Sequence, residues 1–168
     1  MNKAIFLDRD GVINKRLEGD YVKTLEEFKI LPGVKEAIKK FHDLGYLVIV
    51  VTNQQGIGKG LMTEEDLKII HDFMCNELKY IDDIFYCPHL EGTCNCRKPR
   101  PGMLLKAQEK WNIDFSKSWM IGDSDSDILC GKSVGCKTIK IGEDKNKLAD
   151  FCCESLIDCV NIIKIYGD

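Results

Sequence analysis

The 168-residue chain predicts a doubly wound, mainly parallel α/β sheet without a separate cap domain, and three observations support this. Short apolar runs alternate with helical patterns along the whole length. The runs are apolar at successive positions rather than at every second one, which suits strands covered by helices on both faces. No repeat, low-complexity tract or linker interrupts the alternation, so residues 1–168 read as one domain.

The elements follow in order. Ala4–Leu7 is the first apolar run. Val34, Ala37, Ile38, Phe41 and Leu44 then form one apolar helix face, ended by Gly45. Residues 46–51 make the second strand. Thr63-Glu-Glu-Asp66 is a helix start, and Leu67, Ile70, Met74 and Leu78 form the buried stripe behind it. His42 and His71 lie on these helices among charged residues and read as surface side chains. Asp82-Asp83 is a turn before the third strand, residues 84–86. Pro101-Gly102 opens a helix with Leu104, Ala107 and Trp111 inward. Residues 119–121 are the fourth strand. A short helix capped by Asp125 runs to Gly135, and residues 138–141 are the fifth strand.

Composition narrows the function classes. With 24 Lys and Arg against 27 Asp and Glu, the net charge of −3 argues against charge-driven binding to nucleic acid. The longest apolar stretch, residues 46–51, is too short to span a bilayer. The first residues run straight into a strand and a carboxylate instead of a leader, so a cytoplasmic location is expected. Nine cysteines, an odd count, read there as thiols or metal ligands. Six of them (Cys75, Cys130, Cys136, Cys152, Cys153 and Cys159) read as small buried hydrophobes.

In sheets of this kind ligands bind at the carboxyl ends of the strands, so the residues just after each strand matter most. Asp8-Arg-Asp-Gly11 follows the first, Thr52-Asn-Gln-Gln55 the second, a Cys/His cluster with Arg97-Lys98 the third, and Gly122-Asp-Ser-Asp-Ser-Asp127 the fourth. Asp8 and Asp10 suit a pair in which one carboxylate attacks phosphorus beside a divalent cation; a solvated Asp-Gly turn is the alternative. Asp123 is placed to ligate the same cation, and Asp127, one helical turn on, to ligate it or to accept a bond behind it. Thr52 and Lys98 suit neutralisation of a transferring phosphoryl group. The run Gly56-Ile-Gly-Lys-Gly60 fails the Walker pattern at Asn53 and Gly60 and reads as a flexible turn. Cys87, His89, Cys94 and Cys96 match a closed Cys₃His zinc site, structural because no position is left for water. Its role would be to position Arg97 and Lys98.

Asp8-x-Asp10-Gly11, Thr52, Lys98 and Gly122-Asp123…Asp127 together resemble the four motifs of haloacid dehalogenase-type phosphatases, in order and over nearly the whole chain. Thr52-Asn-Gln-Gln-Gly-Ile57, Cys96-Arg-Lys-Pro-Arg-Pro-Gly-Met103 and the Cys-x-His…Cys-x-Cys loop resemble the branch holding the heptose 1,7-bisphosphate 7-phosphatases and the histidinol-phosphate phosphatases. Residues 101–103 and Gly19-Asp-Tyr-Val22 favour the former. The resemblance implies that Asp8 is a nucleophile forming an aspartyl-phosphate and that Asp10 is the acid and base. It implies Mg²⁺ on Asp8, Asp123 and the Asp10 carbonyl, and a sugar bisphosphate substrate. Asn53, Gln54 and Arg97 match substrate-contacting positions, and residues 18–21, including Tyr21, match a substrate flap. Ser124 departs from the lysine that heptose enzymes can carry there. The 41 residues between Asp10 and Thr52 leave no room for a cap domain, and a monomer is expected. The expectations to test are therefore a sugar bisphosphatase, a phosphatase of histidinol phosphate or other small esters, and a non-catalytic zinc-binding interaction protein.

Overall fold

The computed structural model describes residues 1–167. Each apolar run forms a strand: β1 (Ala4–Leu7), β2 (Leu47–Asn53), β3 (Asp83–Cys87), β4 (Trp119–Gly122) and β5 (Lys137–Ile141). A sixth, β6 (Phe151–Cys153), joins the edge. All neighbours pair parallel in the order β3-β2-β1-β4-β5-β6. β6 carries no strand signal in the sequence because its three residues, half-exposed at a sheet edge, are too few to show a pattern. Cys152 at its centre is exposed, and Cys75 and Cys153 are only half-buried, which corrects the expectation for those three cysteines; Cys130, Cys136 and Cys159 are buried.

The helices are α1 (Val34–Asp43), α2 (Gln55–Gly58), α3 (Glu64–Leu78), α4 (Gly102–Trp111), α5 (Asp125–Val134) and α6 (Leu156–Tyr166). Successive strand residues point to opposite faces, so each central strand feeds two cores. Ile5, Leu7, Val48, Val50, Trp119 and Ile121 pack with residues of α1, α3 and α6. Ala4, Phe6, Ile49, Val51 and Met120 pack with residues of α4 and with Cys130 of α5. This double burial is why the runs show no alternation. Trp111, expected inward, is half-buried, and its indole N–H reaches the Asp83 carboxylate at 2.8 Å.

Three local details also differ from expectation. The glycine-rich run after β2 begins as helix α2 rather than as a loose turn. The cap of α5 is Ser124, not Asp125: Ser124 and Asp127 form a reciprocal capping box, while Asp125 pairs with Lys140 and Asn146. His71 is buried. The capping box of Thr63 and Asp66 on α3 forms as the sequence indicates.

The chain leaves β1 toward β2 on one side, and β4 lies on the other. The sheet's switch point therefore falls between the carboxyl ends of β1 and β4, where Asp8 and Asp123 stand.

Candidate active site

The chain beyond β1 turns at once. Gly11 sits at φ 89°, and a Cβ there would lie 1.9 Å from an Asp123 carboxylate oxygen. Glycine is thus required twice at this position, for the left-handed backbone and for the approach of Asp123. At the end of β4 a Cβ on Gly122 would lie 2.2 Å from the Asp127 Cβ, so the second motif needs its glycine for the same packing reason. The two turns bring Asp8, Asp123 and Asp127 together, each with a carboxylate oxygen within 4.8 Å of the others.

Lys98 holds this cluster together. Its buried Nζ donates to Asp8 Oδ1 at 2.8 Å and to the Val51 carbonyl at 2.8 Å, and it lies 2.6 Å from Asp127 Oδ1. Asp127 Oδ2 also accepts from the Ser124 hydroxyl at 2.9 Å. Asp127 is therefore the lysine's counter-ion and the partner of Ser124 in the capping box of α5, leaving Asp8 and Asp123 as the freer carboxylates. Burial and the Asp127 charge raise the Asp8 carboxyl well above its ordinary value, against the lowering effect of Lys98. Burial alone would lower Lys98, but Asp127 and Asp8 reverse that and hold the ammonium above its ordinary range. Asp123 is likewise raised by burial, opposed by Arg16, whose Nη1 donates to Asp123 Oδ2 at 3.0 Å.

Asp123 Oδ1 is buried and has no hydrogen-bond partner among the described residues. An orphaned anionic oxygen within a three-carboxylate cluster fits a hard divalent cation of the Mg²⁺ type, held by Asp8 and Asp123. The Asp10 carboxylate lies outside that cluster. It accepts from Arg9 at 2.9 Å, Asn14 at 2.9 Å and Gln54 at 3.2 Å. Burial would raise Asp10, but Arg9 and these hydrogen bonds outweigh it and hold the carboxyl below its usual value.

Asp8, Asp10 and Lys98 open onto a cavity of about 460 Å³, lined also by Arg16, Tyr21, Asn53, Gln55, Lys59, Arg97 and Ser126. Two residues expected at its surface lie behind it. Gln54 is buried and binds Thr52 Oγ1 at 2.9 Å as well as Asp10, so its amide braces the wall while Gln55 faces the cavity. Thr52 is buried beneath Gln54. Asn53 lines the cavity and accepts from the Lys98 N–H at 3.0 Å, so β2 fixes the backbone that carries the buried lysine. Tyr21 closes one side, with its hydroxyl accepting from Gln55 at 3.3 Å and its ring beneath the Lys59 ammonium at 5.3 Å.

At the end of β3 the Cys87, His89, Cys94 and Cys96 donor atoms also lie within 4.8 Å of one another. Sulfur–sulfur separations are 2.9–3.5 Å, and His89 Nδ1 is 3.2 Å from Cys96 Sγ. Zinc bonds of about 2.3 Å to sulfur in a tetrahedron imply sulfur separations of roughly 3.8 Å, so a small expansion admits the ion. Arg97 and Lys98 follow the last ligand directly.

A family model described as HAD-hydrolase-like matches residues 95–152. The D-glycero-beta-D-manno-heptose-1,7-bisphosphate 7-phosphatase of Pasteurella multocida is 40% identical over 182 residues, covering 98% of each chain. The chain belongs to the heptose-1,7-bisphosphate 7-phosphatase family. A member from Campylobacter jejuni, named for the alpha anomer, is 41% identical over 153 residues, 89% of this chain and 87% of that one. The D,D-heptose 1,7-bisphosphate phosphatase structure from B. bronchiseptica, complexed with magnesium and phosphate, has a TM-score of 0.88 at 32% identity, covering 97% of this chain and 98% of that one. Sequence reasoning missed Arg16 and Lys59, which line the cavity, and took the buried His71 for a surface residue. Arg16 and Lys59 stand on irregular segments and carry no periodic signal. His71 did carry one: it lies four residues after Leu67 and three before Met74, on the buried stripe of α3.

Proposed function

We propose that the chain hydrolyses the 7-phosphate of D-glycero-D-manno-heptose 1,7-bisphosphate through an aspartyl-phosphate on Asp8. The single observation that carries this reading is the charge layout of the cavity. A carboxylate held by a buried lysine forms one end, and Arg16, Lys59 and Arg97 give it a cationic lining suited to a substrate with two phosphates. The family names of the relatives support the choice of sugar.

In this mechanism Asp8 attacks the phosphorus while Lys98 fixes the attacking carboxylate and screens the incoming phosphate. Asp10 is ionised in the free protein, held low by Arg9. A dianionic phosphate arriving beside it raises its affinity for a proton, which Asp10 takes from solvent as the substrate binds. Asp10 then gives that proton to the departing sugar oxygen and takes one back from the water that attacks the aspartyl-phosphate, releasing inorganic phosphate. Asp8 and Asp123 would hold Mg²⁺, which would supply neutralisation of the charge on the phosphoryl group. Arg97 and Lys59 bind the phosphate that is not cleaved. Cys87, His89, Cys94 and Cys96 would hold zinc, which would order the loop that presents Arg97 and Lys98. The whole operates as a single phosphatase domain, residues 1–168, in a reducing cytoplasmic compartment where these thiols persist.

The test is phosphate release with Mg²⁺ from both anomers of the heptose bisphosphate and from histidinol phosphate in parallel. A kcat/KM preference for one heptose anomer is expected, and comparable slow rates on all three would refute the substrate assignment. Asp8→Asn should abolish turnover while the fold is kept, and substantial residual activity would sink the nucleophile.

A further inference from the structure

Behind Asp10 lies a buried polar contact, between Arg9 and His71, that none of the roles above uses. The Arg9 side chain is fully buried. Its Nη2 donates to Asp10 Oδ1 at 2.9 Å, and its Nη1 lies 3.1 Å from His71 Nε2 on α3. The guanidinium carbon sits 5.6 Å from the Phe28 ring centroid, and Nε has no partner among the described residues. His71 does not line the active-site cavity. It borders a separate shallow depression with Glu64, Glu65, Lys68 and Tyr86.

A guanidinium can only donate, so His71 Nε2 must be the acceptor. That fixes the ring as the neutral tautomer with its proton on Nδ1. Burial and the Arg9 charge lower its proton affinity, to a pKa of about 3, in agreement with this state. A neutral acceptor is the partner the site needs here. It anchors one arm of Arg9 without competing for its charge, so the other arm delivers that charge to Asp10 Oδ1. Asp10 Oδ2 is then left to Gln54 and the cavity.

We propose that His71 is a positioning residue for the phosphatase reaction, acting through Arg9 to fix the rotation of the Asp10 carboxylate. The inference rests on the function assigned above. It predicts that losing the acceptor at the Nε2 position lets Arg9 and Asp10 turn together, so proton transfer suffers and substrate binding does not.

The experiment compares the full-length protein with His71→Leu, His71→Gln and His71→Asn, using p-nitrophenyl phosphate and Mg²⁺. A glutamine amide reaches about as far as Nε2, and an asparagine amide only as far as Nδ1. The leucine and asparagine variants should lose about 10-fold in kcat with KM within twofold, and glutamine should recover to within about threefold of wild type. Equal losses in all three, no loss, or a loss carried by KM would overturn the proposal. The second measurement is the ¹⁵N shift pair of His71 in the wild-type protein at pH 7. A neutral ring protonated at Nδ1 is expected, and a ring protonated at Nε2 would overturn the proposal without reference to activity. A wild-type protein inactive on every phosphate ester would instead refute the functional assignment, while the nitrogen shifts still decide the contact.

Discussion

Replacing Lys98 with methionine tests the arrangement at the centre of the site. The thioether keeps most of the stem volume and removes the ammonium, which bridges Asp8 and Asp127 at 2.8 and 2.6 Å and uses its remaining donor on the Val51 carbonyl. Only 2% of the lysine side chain and 1% of that of Asp127 are exposed, so water cannot take over the lost contacts. Breaking a buried ion pair on one side costs about 3–5 kcal/mol, because the remaining charge stays buried and uncompensated. At roughly 2–4 °C per kcal/mol for a domain of this size, the melting temperature in EDTA should fall by about 6–20 °C. Turnover should fall by at least about 10²–10³-fold, the scale of removing one preorganised electrostatic contact. Millimolar Mg²⁺ should recover part of the stability, because a cation between Asp8 and Asp123 relieves the same repulsion, but it should not recover the rate. Circular dichroism melts in EDTA and in Mg²⁺, with phosphate release measured alongside, decide the matter. A variant melting within about 2 °C of wild type in EDTA would refute the reasoning, since the carboxylates would then not depend on the lysine.

Three further outcomes are expected. His71, lowered by burial from 6.5 to about 3, binds fewer protons in the folded than in the unfolded chain between those values. Its contribution is therefore complete above pH 6.5 and lost as pH falls toward 3, by up to about 1.4 kcal/mol per pH unit. Urea titrations should thus show wild type losing stability relative to His71→Gln as the pH drops through this window, and parallel curves would contradict the assignment. Arg16→Gln should tighten Mg²⁺ binding in the absence of substrate by about 1.4–5-fold, because the half-exposed Arg16–Asp123 bridge that competes with the ion is worth about 0.2–1 kcal/mol; calorimetric titration reads this directly, and weaker binding would overturn it. Cys94→Ser should purify without stoichiometric zinc and with reduced activity, and full zinc content by metal analysis would show that Cys94 is not a ligand.

The parts of this protein legible in one dimension are those whose physics is local. Strands β1, β2 and β4 are visible because residues buried on both faces need no polar alternation, while β3 at the sheet edge and the mixed run of β5 show only as short apolar stretches between helical patterns. The start of α3 is visible because Thr63 and Asp66 satisfy each other's backbone N–H groups within one turn. The zinc loop is visible because its four donors lie within ten residues. The catalytic carboxylates are visible as strand-end residues once a parallel sheet is assumed, since that topology gathers strand ends at one edge. Their partners are not local. Lys98 meets Asp8 across 90 residues, Arg16 meets Asp123 across 107, and His71 meets Arg9 across 62. No periodicity or spacing encodes such pairs; only the order of the strands, and the burial that removes competing water, decides which charge faces which. Burial also chose between residues of one type, sending Gln54 into the wall and Gln55 to the cavity, and the distant partners Lys140 and Asn146 drew Asp125 away and left Ser124 as the cap of α5. The sequence alone determined which chemical groups are present and at which end of the sheet they gather. The tertiary structure decided their ionisation and their partners, because both depend on distances and on an exclusion of water that exist only once the chain has closed on itself.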